Sequence, residues 1–318
     1  MLLKKSLAAL AVGLAVGAGP AQAGIMLENW TINLGAIGGA FAGYGTFGQT
    51  NGGTVGIDEM SFDSVYHNVL TFDGNANGSP NTGDRNTVDT LGQITAAKNE
   101  AGNVFKTSTN MRLNQDFELT FASTTTQRVM DEPGVLGTQH FLHLLPGAGP
   151  DGVVVNGLLH LFADTGVNAN TSQATGGGGM MDGTLIAVMK ILYTGTLNPF
   201  NMTSLDGSDD ATFELVWQLD GGIGGIIRDK NGNALKPGAT VGLIDSNFDA
   251  DPNGNGAIDT TPDGIDLLGS PLGKCNTLPG NNCGVENGSF VLQVPEPATL
   301  ALMGISLIGL GASRRRRS

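Results

Sequence analysis

Apolar and polar residues alternate in short runs between residues 24 and 294, and Gly, Asn, Asp and Pro interrupt them roughly every eight to fifteen positions. That rhythm belongs to β-strands joined by turns. Strands are predicted over residues 55–62, 65–72, 117–123, 141–145, 153–163, 185–196, 212–219, 239–244 and 289–294. In Phe213-Glu214-Leu215-Val216-Trp217-Gln218-Leu219 the odd positions share one face, which puts Trp217 in a core. Trp30, Ile32 and Leu34 repeat the pattern near the start of this region. Residues 185–193 are apolar almost throughout; periodicity alone fits a short buried helix as well as a strand, and composition favours a strand in mid-sheet.

The predicted fold is therefore mainly β, an antiparallel β-sandwich of jelly-roll-like type with glycine-rich loops at 35–53, 176–179 and 221–225. No repeat period emerges, which excludes a solenoid or propeller. With 318 residues, 40 % apolar and 14 % charged, the chain can bury a core and is not a disordered polyelectrolyte.

Both ends depart from this pattern. Lys4 and Lys5 precede an apolar stretch over 7–19, then Pro20 and Ala21-Gln22-Ala23. This is the layout of a Sec-type signal peptide over residues 1–23, with cleavage after Ala23 leaving Gly24 first. Small side chains at Ala21 and Ala23 suit the shallow pockets of signal peptidase. At the other end Pro295-Glu296-Pro297 is followed by fifteen uncharged residues, 298–312, and then by Arg314, Arg315, Arg316 and Arg317. The prolines hold the tripeptide extended. The apolar run reaches about 22 Å as a helix, short of the roughly 30 Å hydrocarbon core. The arginines hold the extreme end in the cytoplasm.

These three parts, in this order, resemble the PEP-CTERM family of proteins, whose tail is processed by exosortase in Gram-negative bacteria that make exopolysaccharide. The resemblance covers residues 295–318 only. It implies a transient inner-membrane anchor, cleavage near Pro295–Pro297, and a body, residues 24–294, delivered to the cell surface or extracellular matrix. It also implies an extracellular polysaccharide as the partner. Asp245-Ser246-Asn247 and the Asp251-rich segment are loosely similar to the flocculation-associated subgroup.

Setting both ends aside changes the charge. Six of the 16 basic residues and one of the 29 acidic ones go with them, so the body keeps 10 basic and 28 acidic residues, net −18. Nucleic acid is excluded as a partner by that sign, whereas divalent cations and neutral polymers suit it. Cys275 and Cys283 enclose a short loop with a Pro-Gly turn. In an oxidising compartment they are expected to form a disulfide contributing about 2–3 kcal/mol.

Calcium is the one cofactor the residues suggest. Asp251, Asn253, Asn255 and Asp259 occupy positions 1, 3, 5 and 9 of a loop with Gly256 at position 6, the alternation that wraps oxygens around Ca²⁺. Pro262 stands at position 12, and Asp263 follows one place late. A hydrated Asx-turn loop has the same composition. Asp73, Asn75, Asn77, Asn81 and Asp84 form a weaker candidate, with Pro80 where an inward-packing residue normally stands. No Gly-x-Ser-x-Gly, His-Glu-x-x-His or phosphate loop occurs. His140 and His143, three apart on one predicted strand, face opposite sides. The chain is therefore expected not to be an enzyme but an exported, exosortase-processed surface or matrix protein with a structural or adhesive role in biofilm or floc formation. The alternatives are a calcium-dependent glycan-binding module, with Tyr44, Tyr66 and Tyr193 as candidate sugar platforms, and an extracellular polysaccharide hydrolase.

Overall fold

The computed structural model describes residues 24–26, 29–48, 56–76, 82–99, 109–134, 137–143, 151, 156–169, 179–191, 200–201, 210–249 and 282–295. In chain order these form β1 (Gly24–Met26), β2 (Thr31–Asn33), two short 3₁₀ turns (Leu34–Ile37 and Gly39–Phe41), β3 (Thr46–Phe47), β4 (Glu59–Phe72), β5 (Arg85–Lys98), β6 (Glu118–Gly134), β7 (Gly137–His143), β8 (Gly157–Asp164), β9 (Thr184–Ile191), β10 (Phe200–Asn201), β11 (Asp210–Gly222), β12 (Ile227–Arg228), β13 (Thr240–Asp249) and β14 (Asn282–Pro295).

The mainly-β, antiparallel architecture expected from the alternation is what forms. One sheet runs β6–β5–β4–β14–β13–β11–β9–β8, with β7 and β10 continuing beyond β6 and β1 joined to β14. Residues 118–125 of β6 also pair β8, so the sheet curls until its ends meet. Its opposing walls share one core, as the layers of a sandwich do. A second sheet of β12, β2 and β3 packs into the same core through Ile227, Ile32 and Phe47.

Strand parity explains the packing. On β6, Leu119 and Phe121 face inward with Phe62 of β4 and Phe290 of β14. The rings of Phe62, Phe121 and Phe290 lie 4.9–5.2 Å apart in tilted and edge-on contacts, geometry that adds to area burial. Gly92 of β5 sits directly opposite Phe121. A Cβ there would stand 2.2 Å from the Phe121 ring, so the missing side chain is the space the ring fills. Trp30, Ile32, Leu34 and Trp217 are all buried, as the sequence pattern predicts.

Several elements differ from expectation. The two strands predicted at 55–62 and 65–72 are one long strand, β4, with Ile57 in an isolated bridge to Trp30 before it. β5 falls where no strand is predicted, and β6 runs well past residue 123. The predicted 141–145 strand begins earlier, as β7 from Gly137, and residues 144–145 lie outside the described residues. The 185–193 segment is a strand, β9, over its described residues. Part of the 35–53 loop folds into the 3₁₀ turns and β3, with Leu34, Phe41 and Phe47 buried.

Among the described residues, part of the outer wall is covered. Val65, Leu91 and Ala122 form a small second core beneath Met180, with Phe162 and Ala169 packed against it. Met180 belongs to the segment leading into β9, and its carbonyl accepts a hydrogen bond from Thr120 Oγ1 at 2.8 Å. This loop therefore lies over the start of β6.

Candidate functional site

Under that loop sits Glu118, the first residue of β6 and fully buried. The β6–β8 register sets it opposite Asp164. Its carboxylate accepts backbone N–H groups from Asn168 (3.1 Å) and Ala169 (2.9 Å) and a 3.3 Å hydrogen bond from Gln93 Nε2. Asn168 Nδ2 donates to Asp182 Oδ2 at 2.9 Å, and the Gly166 N–H donates to Asp164 Oδ1 at 3.0 Å. Two glycines permit this closeness. A Cβ on Gly179, whose φ is +76°, would lie 2.2 Å from Asn168 Oδ1, and one on Gly183 would lie 2.7 Å from the Ala163 carbonyl oxygen.

One carboxylate oxygen from each of Glu118, Asp164 and Asp182 lies within 4.8 Å of the others. Ca²⁺ binds oxygen at 2.3–2.6 Å, so ligands across the ion stand up to about 5 Å apart, and three oxygens at this spacing can share one such cation. Burial pushes the Glu118 carboxyl above the ordinary glutamate range; the Ala169 and Asn168 N–H groups pull it down, while Asp164 and Asp182 add to the rise. No contiguous motif announces this group. Its members come from three segments and meet because β6 pairs β8 and β8 pairs β9, next to Asp182.

A second charged centre lies farther along the same strands. Arg85 Nε contacts Asp151 Oδ2 at 2.8 Å, and Arg128 Nη2 contacts Asp151 Oδ1. The Arg128 and Asp151 side chains are 4 % and 7 % exposed. This is the geometry of a buried structural ion pair.

The third feature is the end of β14. Gln293 pairs Thr240 of β13 on one edge and Met26 of β1 on the other. The β1 register continues with Ile25 opposite Val294 and Gly24 opposite Pro295. The model of the PEP-CTERM protein-sorting motif matches residues 293–317. The chain carries a PEP-CTERM sorting signal. No curated protein and no solved structure matches the chain. The PEP-CTERM signal marks an exported protein, processed by exosortase and sorted to the surface or exterior of a Gram-negative cell.

Of the residues assigned to sorting, Pro295 ends β14, one position past the 294 boundary expected for the body. Glu296, Pro297 and Arg314–Arg317 fall outside the described residues, as do Ala21 and Ala23; Gly24 opens β1. Among the described residues no helix is long and apolar enough to cross a membrane, and the apolar run 298–312 lies outside them.

The stronger calcium loop predicted from sequence, Asp251 through Asp263, lies outside the described residues, as do Asn77 and Asn81 of the weaker one. Of the latter, Asp73 Oδ1 accepts the Asn75 N–H at 3.2 Å and Asp84 Oδ1 accepts the Gly74 N–H at 2.8 Å. Cys283 lies in β14 opposite His67, and Cys275 is outside the described residues. His140 and His143 share β7. Two of the suggested sugar platforms are used otherwise. Tyr66 is fully buried. Tyr44 packs on Phe41 and Phe117 and donates its hydroxyl to the Asp116 carbonyl at 2.9 Å.

Proposed function

We propose that this exported protein works without catalysis, as a structural or adhesive component of the exopolysaccharide matrix in biofilm or floc formation. The observation that carries the reading is the sorting motif at residues 293–317. The acidic body supports it: a net charge of −18 over residues 24–294 keeps a curled β-sheet solvated among neutral or cation-bridged polymers. Two measurements test it. Cells with and without the processing enzyme are fractionated and the mature C-terminus is read by mass spectrometry; material released only by the competent strain, ending near Pro295–Pro297, is expected. A deletion strain is then scored for aggregation. Exported protein that keeps residues 298–318 overturns the sorting route, and unchanged aggregation in the deletion strain overturns the adhesive role.

The second reading is a calcium-dependent glycan-binding module, favoured by the Glu118, Asp164 and Asp182 oxygens gathered within 4.8 Å. Calcium at 100 times its dissociation constant would stabilise the fold by about 2.7 kcal/mol. A melting temperature indifferent to millimolar calcium and to chelator ends this reading, as does a glycan array without hits. An extracellular hydrolase, the remaining alternative, is tested by activity screening on matrix polysaccharides.

A further inference from the structure

The edge of β14 that faces β4 is paired from Asn282 to Phe290. Beyond Phe290 that edge would present bare N–H and C=O groups, the template for unwanted strand pairing. β1 takes part of this place, joining residues 293–295 in antiparallel register. Its position is dictated by a nearby anchor. Trp30, four residues after Met26, is 2 % exposed and exchanges backbone hydrogen bonds with Ile57 at 3.0 and 2.6 Å. The Asn29 N–H donates to Asp58 Oδ1 at 2.7 Å, and Asn29 Oδ1 accepts the Gly56 N–H at 3.2 Å. The chain between this anchor and β1 is too short to let β1 wander far, since each residue spans at most about 3.6 Å.

Two processing junctions are thereby brought together. Gly24, expected to become the first residue when 1–23 are removed, stands opposite Pro295, the first residue of the Pro-Glu-Pro tripeptide. Opposed Cα atoms in an antiparallel pair lie about 4.5–5.5 Å apart. The β13 edge of Gln293 is taken by Thr240 and its other edge by Met26. A processing enzyme that grips its substrate as an added strand finds both edges of Gln293 occupied, and β1 stays paired as far as Pro295. Proline itself lacks the N–H that would carry the ladder further.

We propose that β1 is a clasp on the sorting junction. It holds the chain in the sheet as far as Pro295, confines cleavage to the C-terminal side of Pro295, and leaves both mature termini side by side on one edge of the sheet. The proposal rests on the exosortase-processed reading above. Any attachment made at the new C-terminus would then hold the body by that edge.

The test uses the full-length chain exported from its own cells, with Cys275→Ser and Cys283→Ser to remove competing thiols. Ile25→Cys with Val294→Cys is expected to form a disulfide, because directly opposed Cα atoms fall within the 4.4–6.8 Å range a disulfide needs. Ile25→Cys with Leu292→Cys, two positions out of register, is the control and should stay reduced. Separately, Ile25→Pro with Met26→Pro removes the clasp's N–H donors while tryptophan fluorescence checks that the core around Trp30 and Trp217 is intact. The expected outcome is a single mature C-terminus at or beyond Pro295 in the parent, and termini scattered upstream of Pro295 in the double-proline variant. No disulfide in the in-register pair, or identical C-termini in both chains, overturns the clasp. Parent protein exported with residues 298–312 attached instead overturns the sorting route, and the disulfide still reports on the pairing.

Discussion

Gly92→Ala is expected to destabilise this protein although it adds one methyl group to a strand. The new Cβ would stand 2.2 Å from Cε1 and Cζ of Phe121 and 2.9 Å from Cβ of Ser64, where carbon atoms prefer 3.5–4.0 Å. The ring must retreat by about 1.3 Å to restore ordinary contact. It has little room, since Phe121 is 3 % exposed and the Phe62 and Phe290 rings sit 5.2 Å away on either contact. Overpacking of this kind costs about 1–3 kcal/mol, while replacing glycine recovers about 0.4–1 kcal/mol from the unfolded chain. The net loss is on the order of 1–2 kcal/mol. Urea unfolding followed by tryptophan fluorescence measures it, because the chain's 2 tryptophans, Trp30 and Trp217, are both in the core. The decisive comparison repeats the substitution in a Phe121→Leu background, where the smaller side chain leaves space and the cost should shrink. Equal costs in both backgrounds, or a neutral Gly92→Ala, would show that the ring does not depend on the missing Cβ.

Three further outcomes follow from the charged groups. Glu118→Gln tests the buried carboxyl: its folded value is raised from 4.5, so its contribution is fully present below about pH 4.5 and is lost as pH climbs through the folded value. In chelator the Gln variant should therefore gain on the parent in melting temperature as pH rises above about 4.5; a constant difference across that range defeats the assignment. Asp151→Ala removes the buried carboxylate that Arg85 and Arg128 share, and should cost on the order of 3–5 kcal/mol in urea unfolding. A loss under 1 kcal/mol would mean that solvent reaches the pair. At Asp229 burial is the largest single cause and raises the carboxyl, but the hydrogen bonds from Asn233 and Asn231 together outweigh it and hold the group below 3.8. Its contribution is present at higher pH and lost as pH falls through that lowered value. Asp229→Ala should speed amide exchange at Asn231 and Asn233, with the difference from the parent fading in strong acid.

What the sequence showed and what it hid have physical causes. Trp30, Ile32 and Leu34 were legible because they alternate with Thr31 and Asn33 through β2 and its two flanking positions, and Trp217 because it shares one parity with buried Leu219 on β11. β5 escaped because Gly92 interrupts its inward row where Val88, Thr90 and Ile94 would otherwise alternate, and the bulk at that point is supplied by Phe121 from another strand. The later part of β6 escaped for a different reason. Thr125 and Gln127 are buried polar residues, and Gln127 Nε2 donates to Thr125 Oγ1 at 3.0 Å, so a search for apolar alternation passes over them. The Glu118 group is harder still. Asp164-Thr165-Gly166-Val167-Asn168 has loop composition that could have drawn attention, but Glu118 lies 50 residues from Asn168 and Asp182 follows another glycine-rich stretch. Short Asp/Asn/Gly runs are also a poor guide alone. Asp229-Lys230-Asn231-Gly232-Asn233 has the same look, yet its carboxylate accepts hydrogen bonds from its own loop, at Asn231 N, Asn233 N and Asn233 Nδ2.

The position of β14 links folding to sorting. β14 closes the sheet by pairing β4 across the chain, with residue 285 opposite residue 65, and such distant contacts form late because the intervening chain must be ordered first. In a chain exported from its N-terminus, β4, β5 and β6 emerge early with one edge of β4 still open, and β14 is the strand that covers it. The PEP-CTERM motif begins within that same strand, at Gln293. Under the proposed route an apolar stop placed directly after the closing strand holds the chain at the membrane just when its last long-range pairing becomes possible. Closing β14 onto β4 fixes the strand whose end β1 pairs at Pro295, so under the proposed clasp a body that has not closed lacks the geometry in which its tail is cut.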